Sequence, residues 1–333
     1  MRRWISLLLC LLALTALTAL WGCGSAAEAD GEKNDRIVVG FSQLGSESDW
    51  RIANTRSMTE AFCEENGYQL EFDNAKQKQE NQLAAVRNFI LQGVDIIMIA
   101  PTEETGWENV LTEARDAGIP VIIVDRAVAV EDESLYLTSI GSDFLLEGQR
   151  ATEWLTDELE KQGRGDEDVN ILHLQGTYGA TAQLMRTKAL EDAAAENDRW
   201  HIAAQLYGDF TEAKGYEAVR DYLATDRDID VIYSENDNMT FGAMQALDEA
   251  GISYGVGGDV ILISFDAVHE ALEKCLAGQI NLCVECNPLH GPRVDELIRR
   301  YQAGETIPKH IYVEETLFTP DTLTQEIVDN REY

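Results

Sequence analysis

The sequence is short of positive charge. Its 333 residues include 26 lysines and arginines against 60 aspartates and glutamates, for a formal net charge of -34 at pH 7. Such a surface repels phosphate backbones and anionic membranes. The acidic residues are spread along the chain rather than gathered in one tail. The composition therefore argues against nucleic-acid binding and indicates a solvated acidic surface.

Motifs of nucleophilic, phosphate-binding and calcium-binding proteins are also missing. GxSxG is absent, the five histidines have no Ser, Cys or Asp neighbour in a recognisable motif, and the loop GTYGA at 176–180 fits neither GxxxxGK[ST] nor GxGxxG. DRDID at 226–230 begins like a calcium loop, but Val231 stands where glycine is required. The sequence therefore predicts no catalytic residue, no metal site and no cofactor. The paired acids of a glycoside hydrolase stay open, because their pairing depends on distances in space.

Cysteine is scarce as well, with six in the chain, two of them in the N-terminal segment. The other four are Cys63, Cys275, Cys283 and Cys286. An exported protein can form disulfides, and four cysteines allow three pairings. A zinc site needs four ligands, and no histidine spacing completes the lone CxxC at 283–286. We therefore interpret these four cysteines as structural or free thiols.

The N-terminus carries the one apolar stretch of export-signal type, at 5–20, after two arginines and before the sequence LWGC. The order is typical of an export signal, and the stretch is short for a membrane-spanning helix. LWGC resembles the lipobox of bacterial lipoproteins, which predicts a signal peptide over 1–22 and a lipid on Cys23. An uncleaved anchor, or cleavage elsewhere, is the alternative. We expect a flexible tether over 23–35 and a folded part outside the cytoplasm, either in the periplasm or held at the outer face of the cell membrane by the lipid alone.

From residue 36 onward, short apolar runs alternate with helical patterns. In 78–92 and 105–117 the apolar residues recur with helical spacing, whereas many of the intervening runs are apolar throughout. Strands of that kind belong to parallel sheets covered by helices on both faces. Ten strands are too many for a single sheet in a chain of this length. The predicted fold class is therefore α/β with two doubly wound parallel-sheet lobes. The predicted strands are 37–42, 68–72, 94–99, 120–124, 135–140, 169–174, 201–206, 230–234, 260–264 and 280–285.

Charged residues follow several predicted strands, at the sheet edge where parallel sheets bind ligands. Asp125 and Arg126 end one apolar run, and no helix pattern starts in the following residues, so capping does not explain the acid. A charged pair at the end of a buried strand must be paired or serve a ligand, and an internal ion pair is the alternative. Helix capping is an equally good explanation for three others: Asp237, Asn238 and Asp266.

Two aromatic residues are isolated among polar neighbours. Core packing is the default for an aromatic side chain, and Phe210 gives no local reason to depart from it. Trp50 lies between Asp49 and Arg51 at a strand–helix junction, which favours a position facing the ligand-binding cleft at the sheet edge.

The segments at these strand ends resemble those of type I periplasmic sugar-binding proteins of ABC importers. The resemblance runs from Arg36 to Tyr333 and is carried, in order, by FSQLGSESDWR, QKQENQ, QGVDIIMIAPTEETGW, IPVIIVDRAV, LQGTYGAT, GDFTEAKG, SENDNM and ISFDAV. GSESDWR and KQENQ are most similar to the galactofuranose-binding members of that family. The resemblance implies two Rossmann-like lobes, joined at a hinge by three crossing strands: 36–139 plus 287–318 for the N-terminal lobe, and 140–286 plus 319–333 for the C-terminal lobe.

The resemblance also implies a sugar site between the lobes. Carboxylates accept two hydroxyl donors at once, arginine donates in a planar fork, and an aromatic ring covers the C–H face of a sugar. Glu285 stands where many relatives carry an amide, and Trp50 and Arg51 replace an aromatic pair of ribose-type relatives. The implied sugar-binding residues are Ser46, Trp50, Arg51, Asp125, Arg126, Arg186, Phe210, Asn236, Asp266 and Glu285.

From this resemblance we expect a monomeric extracytoplasmic receptor without enzymatic activity. It would capture a monosaccharide, galactofuranose or a similar sugar, by hinge closure and deliver it to the membrane permease of an ABC transporter. A sensor that presents the sugar to a receptor kinase is one alternative, and a secreted glycoside-processing enzyme is a weaker one. A regulator of the lactose-repressor type would need an N-terminal pair of DNA-binding helices, and an export signal occupies that place.

Overall fold

The structure is a computed structural model that describes residues 36–333. The predicted signal peptide, the predicted lipidation of Cys23 and the predicted tether lie outside the described residues. Within residues 36–333, no helix combines the length and the apolar character needed to cross a bilayer.

The described chain alternates strands and helices as the sequence predicts. The strands are β1 (Ile37–Gln43), β2 (Tyr68–Asn74), β3 (Ile96–Ile99), β4 (Val121–Val124), β5 (Thr138–Gly141), β6 (Val169–Gln175), β7 (Trp200–Tyr207), β8 (Val231–Ser234), β9 (Ile261–Asp266), β10 (Leu282–Glu285), β11 (His310–Tyr312) and β12 (Leu317–Phe318). The helices are α1 (Asp49–Ala61), α2 (Gln79–Gln92), α3 (Glu108–Asp116), α4 (Phe144–Lys161), α5 (Thr181–Glu196), α6 (Glu212–Leu223), α7 (Asp237–Ala250), α8 (His269–Leu276), α9 (Gly291–Gln302) and α10 (Gln325–Asp329).

Two largely parallel sheets form the framework. The first has the strand order β11-β5-β4-β3-β1-β2, with every neighbouring pair parallel. The second has the order β12-β10-β9-β8-β6-β7, in which the pair β10–β12 alone is antiparallel. The winding reverses between β1 and β3 and again between β6 and β8, and open sheets bind ligands at such a switch point. The prediction of two doubly wound parallel sheets is confirmed.

Helices cover both faces of each sheet because the central strands are apolar along their whole length. Strands β3 and β4 are buried at every residue. One face of the first sheet packs on Phe89 of α2 and Leu111 of α3, and the other face packs on Met58 of α1 and Ile298 of α9. Burial of each such side chain stabilises the fold by about 1.5–3 kcal/mol. We call this sheet with α1, α2, α3 and α9 the first lobe.

The second sheet is covered in the same way. Leu155 of α4 and Leu190 of α5 pack on one face. Val219 of α6 and Leu247 of α7 pack on the other, together with residues of α8 and α10. We call the second sheet with α4 to α8 and α10 the second lobe.

The chain crosses between the lobes three times, at 142–143, 286–290 and 313–316. Strand β5 extends to Gly141, which pairs with Tyr312 of β11, so the predicted boundary after residue 139 falls inside a strand of the first lobe. Residues 317–318, predicted for the first lobe, pair with β10 of the second.

Candidate functional site

A cavity lies between the two lobes, at the carboxyl ends of their strands. The space inside it that the centre of a water-sized sphere can occupy is about 30 Å³, so the cavity is small. Its walls are formed by Glu47, Ser48, Trp50, Arg51, Asp125, Arg126, Phe144, Ala182, Arg186, Phe210, Asn236, Asp266 and Cys286.

The first-lobe wall is a network of buried charges. Ser48 caps α1 by accepting a hydrogen bond from the Arg51 backbone nitrogen at 3.1 Å, which directs the start of this helix at the cavity. The Arg51 guanidinium donates to Asp125 Oδ2 at 2.6 Å and to Glu47 Oε1 at 3.1 Å. Arg126 donates to the carbonyl oxygen of Thr102 at 3.0 Å. The ion pair considered from the sequence therefore exists, with Arg126 at 3.8 Å from the Asp125 carboxylate, but Arg51 is the closer cation at 2.6 Å.

These contacts shift the pKa values of Asp125 and Arg126. Burial disfavours the charge of Asp125, but the guanidiniums of Arg51 and Arg126 hold its pKa below the usual value. Burial and the positive charge of Arg51 lower the pKa of Arg126 to about 10, which leaves it charged at neutral pH. The wall therefore presents an ionised acceptor next to charged donors.

The backbone at Asp125 is shaped for this position. Asp125 adopts φ 69°, a left-handed conformation that is uncommon for residues other than glycine and costs about 1–3 kcal/mol, so the surroundings must enforce it. Its nitrogen donates to the Ile140 carbonyl at 2.8 Å, which continues the pairing of β4 with β5. A Cβ at Gly141 would stand 2.2 Å from the Asp125 carbonyl oxygen. Glycine at 141 therefore makes room for the turn that presents Asp125.

The second-lobe wall is centred on Arg186 of α5. Its Nε donates to Glu147 Oε2 at 2.8 Å and its Nη1 donates to the Glu235 carbonyl at 2.6 Å. Nη2 lies 2.8 Å from the same Glu147 oxygen in an ion pair but makes no hydrogen bond among the described residues. Burial opposes the charge of Arg186, but Glu147 and Asp266 contribute to holding its pKa above the usual value. A fixed cation with one nitrogen still free to donate therefore lines the cavity.

Asp266 and Asn236 complete the polar part of this wall. Asp266 adopts φ 106°, and burial raises its pKa well above the usual value, helped by the nearby charge of Asp237. A neutral carboxyl both donates and accepts hydrogen bonds. Asn236 caps α7 by accepting from the Met239 nitrogen at 2.9 Å and donates to the Phe210 carbonyl at 3.1 Å.

Aromatic rings supply the apolar faces of the cavity. The Trp50 indole donates to the Cys286 carbonyl at 2.6 Å, and the Arg51 guanidinium lies 4.5 Å from the centre of its ring. Phe210 is 5% exposed. A Cβ at Gly176 would stand 1.9 Å from the Phe210 ring, so this ring requires glycine beside it. Buried rings of this kind are suited to the C–H face of a sugar.

The cavity contains eight of the ten residues singled out from the sequence. Ser46 is exposed outside it and accepts a hydrogen bond from Asn74 at 2.9 Å. The Glu285 carboxylate is occupied by Arg331 at 2.6 Å and the Tyr333 hydroxyl at 2.9 Å. Neither side chain lines the cavity, and Glu285 holds the C-terminal segment in place; a sugar-binding role for these two residues stays a prediction.

Sequence reasoning missed five residues of the wall: Glu47, Ser48, Phe144, Ala182 and Cys286. The Glu47 side chain is 2% exposed, and its Oε2 has no hydrogen-bond partner among the described residues. The signal for Glu47 was its place beside Trp50 and Arg51 in the segment GSESDWR. The other four carry no local signal of a binding role.

The capping explanation holds for none of the three residues for which it was considered. The cap of α7 is Asn236. The carboxylate of Asp237 accepts from the Ser264 hydroxyl and from the Val268 nitrogen, so it joins the ends of β9 and α8. Asn238 reaches across to the first lobe, and Asp266 faces the cavity.

Hydrogen bonds join the lobes around the cavity. Asn238 of α7 accepts from the Asp49 nitrogen at 3.1 Å and donates to the Asp49 carboxylate at 2.9 Å. Elsewhere the Ala127 nitrogen donates to the Thr181 hydroxyl at 2.8 Å. The lobes are therefore in the closed arrangement, in which the side chains of both walls can contact one small ligand together.

One group of carboxylate and thiol side chains among residues 36–333 is close enough together to ligate a metal ion. Donor atoms of Glu147, Cys286 and Glu315 lie within 4.8 Å of one another, where the crossing segments meet. The four cysteines of residues 36–333 are free thiols.

A buried cavity of charges and aromatic rings, between two lobes joined by crossing segments, defines a two-lobed receptor for a small polar ligand. The chain belongs to the periplasmic binding protein family, because the family model described as "Periplasmic binding protein domain" matches residues 39–289. The family resemblance recognised in the sequence is thereby confirmed.

Several relatives of known name are similar over most of the chain. The galactofuranose-binding protein YtfQ of Escherichia coli (strain K12) is 39% identical over 296 residues, covering 87% of this chain and 90% of that protein. A Mycobacterium smegmatis protein solved in complex with β-D-fucofuranose is 39% identical, with a TM-score of 0.83, and covers 89% of this chain and 95% of its own. The binding component of an arabinose ABC transporter from Shewanella sp. ANA-3, bound to α- and β-L-arabinofuranose, is 40% identical, with a TM-score of 0.81 and the same coverage.

Proposed function

We propose that this protein is an extracytoplasmic receptor that captures a monosaccharide in its furanose form and delivers it to the permease of an ABC transporter. The observation that carries the proposal is a pair of unsatisfied atoms. Glu47 Oε2 and Arg186 Nη2 are buried, belong to opposite walls of one small cavity, and make no hydrogen bond among the described residues, although Nη2 lies 2.8 Å from Glu147 Oε2 in an ion pair. Each such atom costs about 1–3 kcal/mol, and sugar hydroxyls would satisfy both.

The names of the relatives supply the kind of ligand. Galactofuranose, fucofuranose and arabinofuranose are five-membered-ring sugars, and the proteins named for or solved with them are 39%, 39% and 40% identical to this chain. One of these proteins serves an ABC transporter, which favours transport over presentation to a receptor kinase. The proposed contacts are the eight predicted residues that line the cavity, together with Glu47.

Binding proceeds without covalent chemistry in this proposal. Asp125, ionised beside two guanidiniums, accepts two hydroxyl hydrogens, while Arg126 and Arg186 donate to hydroxyl oxygens from the two lobes. Hydrogen bonds to charged groups contribute about 1.5–3 kcal/mol each, so a ligand that bridges both walls stabilises the closed arrangement. A lipid on Cys23 keeps the monomeric receptor near its permease.

Thermal unfolding in the presence of different sugars tests this function. The panel contains L-arabinose, D-galactose, D-fucose, D-ribose and D-glucose. A ligand of the folded state raises the free energy of unfolding by about 2.7 kcal/mol at a hundredfold excess over its dissociation constant. We expect a rise in Tm with one or more of the first three sugars. Unchanged Tm with every sugar, or hydrolysis of a glycoside by the protein, would contradict the proposal.

A further inference from the structure

Side chains from all three crossing segments meet in one cluster. Ser142 lies in the first segment, Cys286 in the second and Glu315 in the third. Glu147 of α4 joins them, and donor atoms of Glu147, Cys286 and Glu315 lie within 4.8 Å of one another. Ligand atoms around one tetrahedral zinc ion are about 3.3–3.7 Å apart, because the bonds are about 2.0–2.3 Å long. Small side-chain rotations therefore bring the three groups onto one ion. We call these four residues the hinge cluster.

One oxygen of the hinge cluster is buried without a partner. Glu147 is 3% exposed, and its Oε1 has no hydrogen-bond partner among residues 36–333. The other oxygen, Oε2, accepts from Arg186 Nε at 2.8 Å, which holds the carboxylate in place. A buried acceptor that makes no hydrogen bond is costly, so such atoms call for a ligand. A cation between Glu147 and the other acid of the cluster would satisfy this oxygen.

The other two ligating groups are held by neighbouring donors and acceptors. The Ser142 hydroxyl and the Asn287 nitrogen both donate to Glu315 Oε1, at 2.5 Å and 2.7 Å, which leaves Oε2 for a metal ion. The Cys286 nitrogen donates to the carbonyl of the last residue of β9 at 3.1 Å, and the Cys286 carbonyl accepts from the Trp50 indole at 2.6 Å. Hydrogen bonds of this kind fix the orientation of metal ligands.

The charges of the hinge cluster favour a divalent cation. As metal ligands, two carboxylates and a thiolate carry three negative charges. Arg186, in an ion pair with Glu147 at 2.8 Å, supplies one positive charge. Arg150 of α4 donates to the Glu315 backbone carbonyl at 3.1 Å rather than to its carboxylate. Buried charges have to be paired or bound to a metal, and a divalent cation supplies the charge that Arg186 alone does not.

We propose that Glu147, Cys286 and Glu315 bind one zinc ion at the hinge. A thiolate favours zinc over calcium and magnesium, which prefer oxygen ligands. Three protein ligands leave the fourth tetrahedral position for water. The ion ties the second and third crossing segments to α4 and holds Glu147 against Arg186, a residue of the cavity wall. Zinc binding at this place does not depend on the function proposed above.

The first test is titration of the full-chain protein with Zn²⁺, after treatment with a chelator and with the thiols kept reduced. Excess Ca²⁺ occupies sites that acidic surface residues form alone. We expect calorimetry to give one tightly bound zinc ion per chain, and we expect Tm to rise, because an ion that binds the folded state stabilises it. Glu315→Gln should weaken binding by at least about tenfold. Glu314→Gln removes the same charge at an exposed neighbouring position and should bind like wild type.

Cobalt in place of zinc shows whether the thiol is a ligand. Co²⁺ bound at the hinge cluster should give a thiolate-to-cobalt charge-transfer band in the near ultraviolet, and Cys286→Ser should remove it. Cys63→Ser changes a free thiol outside the cluster and should keep the band. If Cys286→Ser does not fold, Glu147→Gln should shift the appearance of the band to a higher Co²⁺ concentration.

Three results would overturn the zinc site: no charge-transfer band in the wild type, a band that survives in Cys286→Ser, or equal zinc affinity in wild type and Glu315→Gln. Because neither readout contains sugar, these failures are distinct from a failure of the proposed function. A protein that binds sugar and no zinc would contradict the metal site alone.

Discussion

Asp125 and Asp266 occupy equivalent positions in the two lobes, yet their environments shift their pKa values in opposite directions. The orders β2-β1-β3-β4-β5 and β7-β6-β8-β9-β10 match strand by strand; Asp125 directly follows β4, and Asp266 is the last residue of β9. Both adopt left-handed backbone conformations, with φ 69° and φ 106°. They face each other across one cavity.

The difference lies in the number of cations beside each acid. Asp125 receives the charges of Arg51 and Arg126, which hold its pKa low. Asp266 has Arg186 at 3.9 Å, and this guanidinium is already paired with Glu147, so burial raises the pKa of the carboxyl well above its usual value and favours the neutral form. The same residue type at the same fold position is therefore a pure acceptor in one lobe and a donor and acceptor in the other.

The largest effect is expected from Asp125→Asn. This change removes the ionised acceptor and leaves two guanidiniums without their carboxylate. We expect sugar affinity to fall by at least about 100-fold, because hydrogen bonds to charged groups contribute about 1.5–3 kcal/mol each. Calorimetric titration measures the loss, and the exposed Asp116→Asn should leave affinity unchanged. Retained affinity in Asp125→Asn would remove Asp125 from the site.

Gly141→Ala should come next in size. The new Cβ meets the Asp125 carbonyl oxygen, a backbone atom that cannot turn aside. We expect about a tenfold loss of affinity and a loss of about 1–3 kcal/mol in the free energy of unfolding, as for other overpacked sites. Denaturant unfolding and calorimetry measure the two effects, and Gly165→Ala in an exposed turn is the control. If Gly141→Ala binds like wild type, the turn at Asp125 does not depend on this close approach.

Asn238→Ala should have a smaller effect. It removes both hydrogen bonds to Asp49 that join the lobes, and it does not touch the cavity wall. We expect about a fivefold weaker affinity, which corresponds to roughly 1 kcal/mol, with a faster release of sugar. Stopped-flow fluorescence measures the release rate. Gln245→Ala on the exposed side of the same helix should change neither quantity. An unchanged release rate in Asn238→Ala would show that this contact does not hold the lobes together.

The smallest effect is expected from Asp266→Asn. A neutral carboxyl and an amide each present one acceptor and at least one donor, so the substitution preserves the chemistry of this wall. We expect affinity to change less than about fivefold, below roughly 1 kcal/mol. Side-by-side titration with Asp125→Asn measures the contrast. A loss as large as that of Asp125→Asn would mean that Asp266 is ionised, and the comparison between the lobes would fail.

The sequence predicted the sheets well because the sheet strands are dominated by buried apolar runs. Ten strand predictions match β1 to β10 within a few residues, since each run is apolar or alternating and bounded by helical patterns. Strands β11 and β12 were missed because they are three and two residues long. β11 is an edge strand with exposed ends, so it carries no hydrophobic pattern to detect.

Fewer features of the site could be predicted from the sequence. Which acid pairs with which cation depends on contacts between segments that are far apart in the chain. Glu285 ends a strand as Asp125 and Asp266 do, but Arg331 and Tyr333 at the C-terminus occupy its carboxylate. Nothing near Glu285 in the sequence reveals that partner. Similarly, the sequence gives no sign that Arg51, rather than the neighbouring Arg126, holds the Asp125 carboxylate most closely.

The most direct measurement of the central claim is the ring form of the bound sugar. Carbon NMR of D-galactose labelled at C1, and of L-arabinose labelled in the same way, distinguishes furanose from pyranose by the C1 resonance. The account predicts that the protein-bound fraction of at least one of these sugars is in the furanose form and that Asp125→Asn abolishes the bound signal. A bound pyranose, or no bound sugar in the wild type, would contradict it.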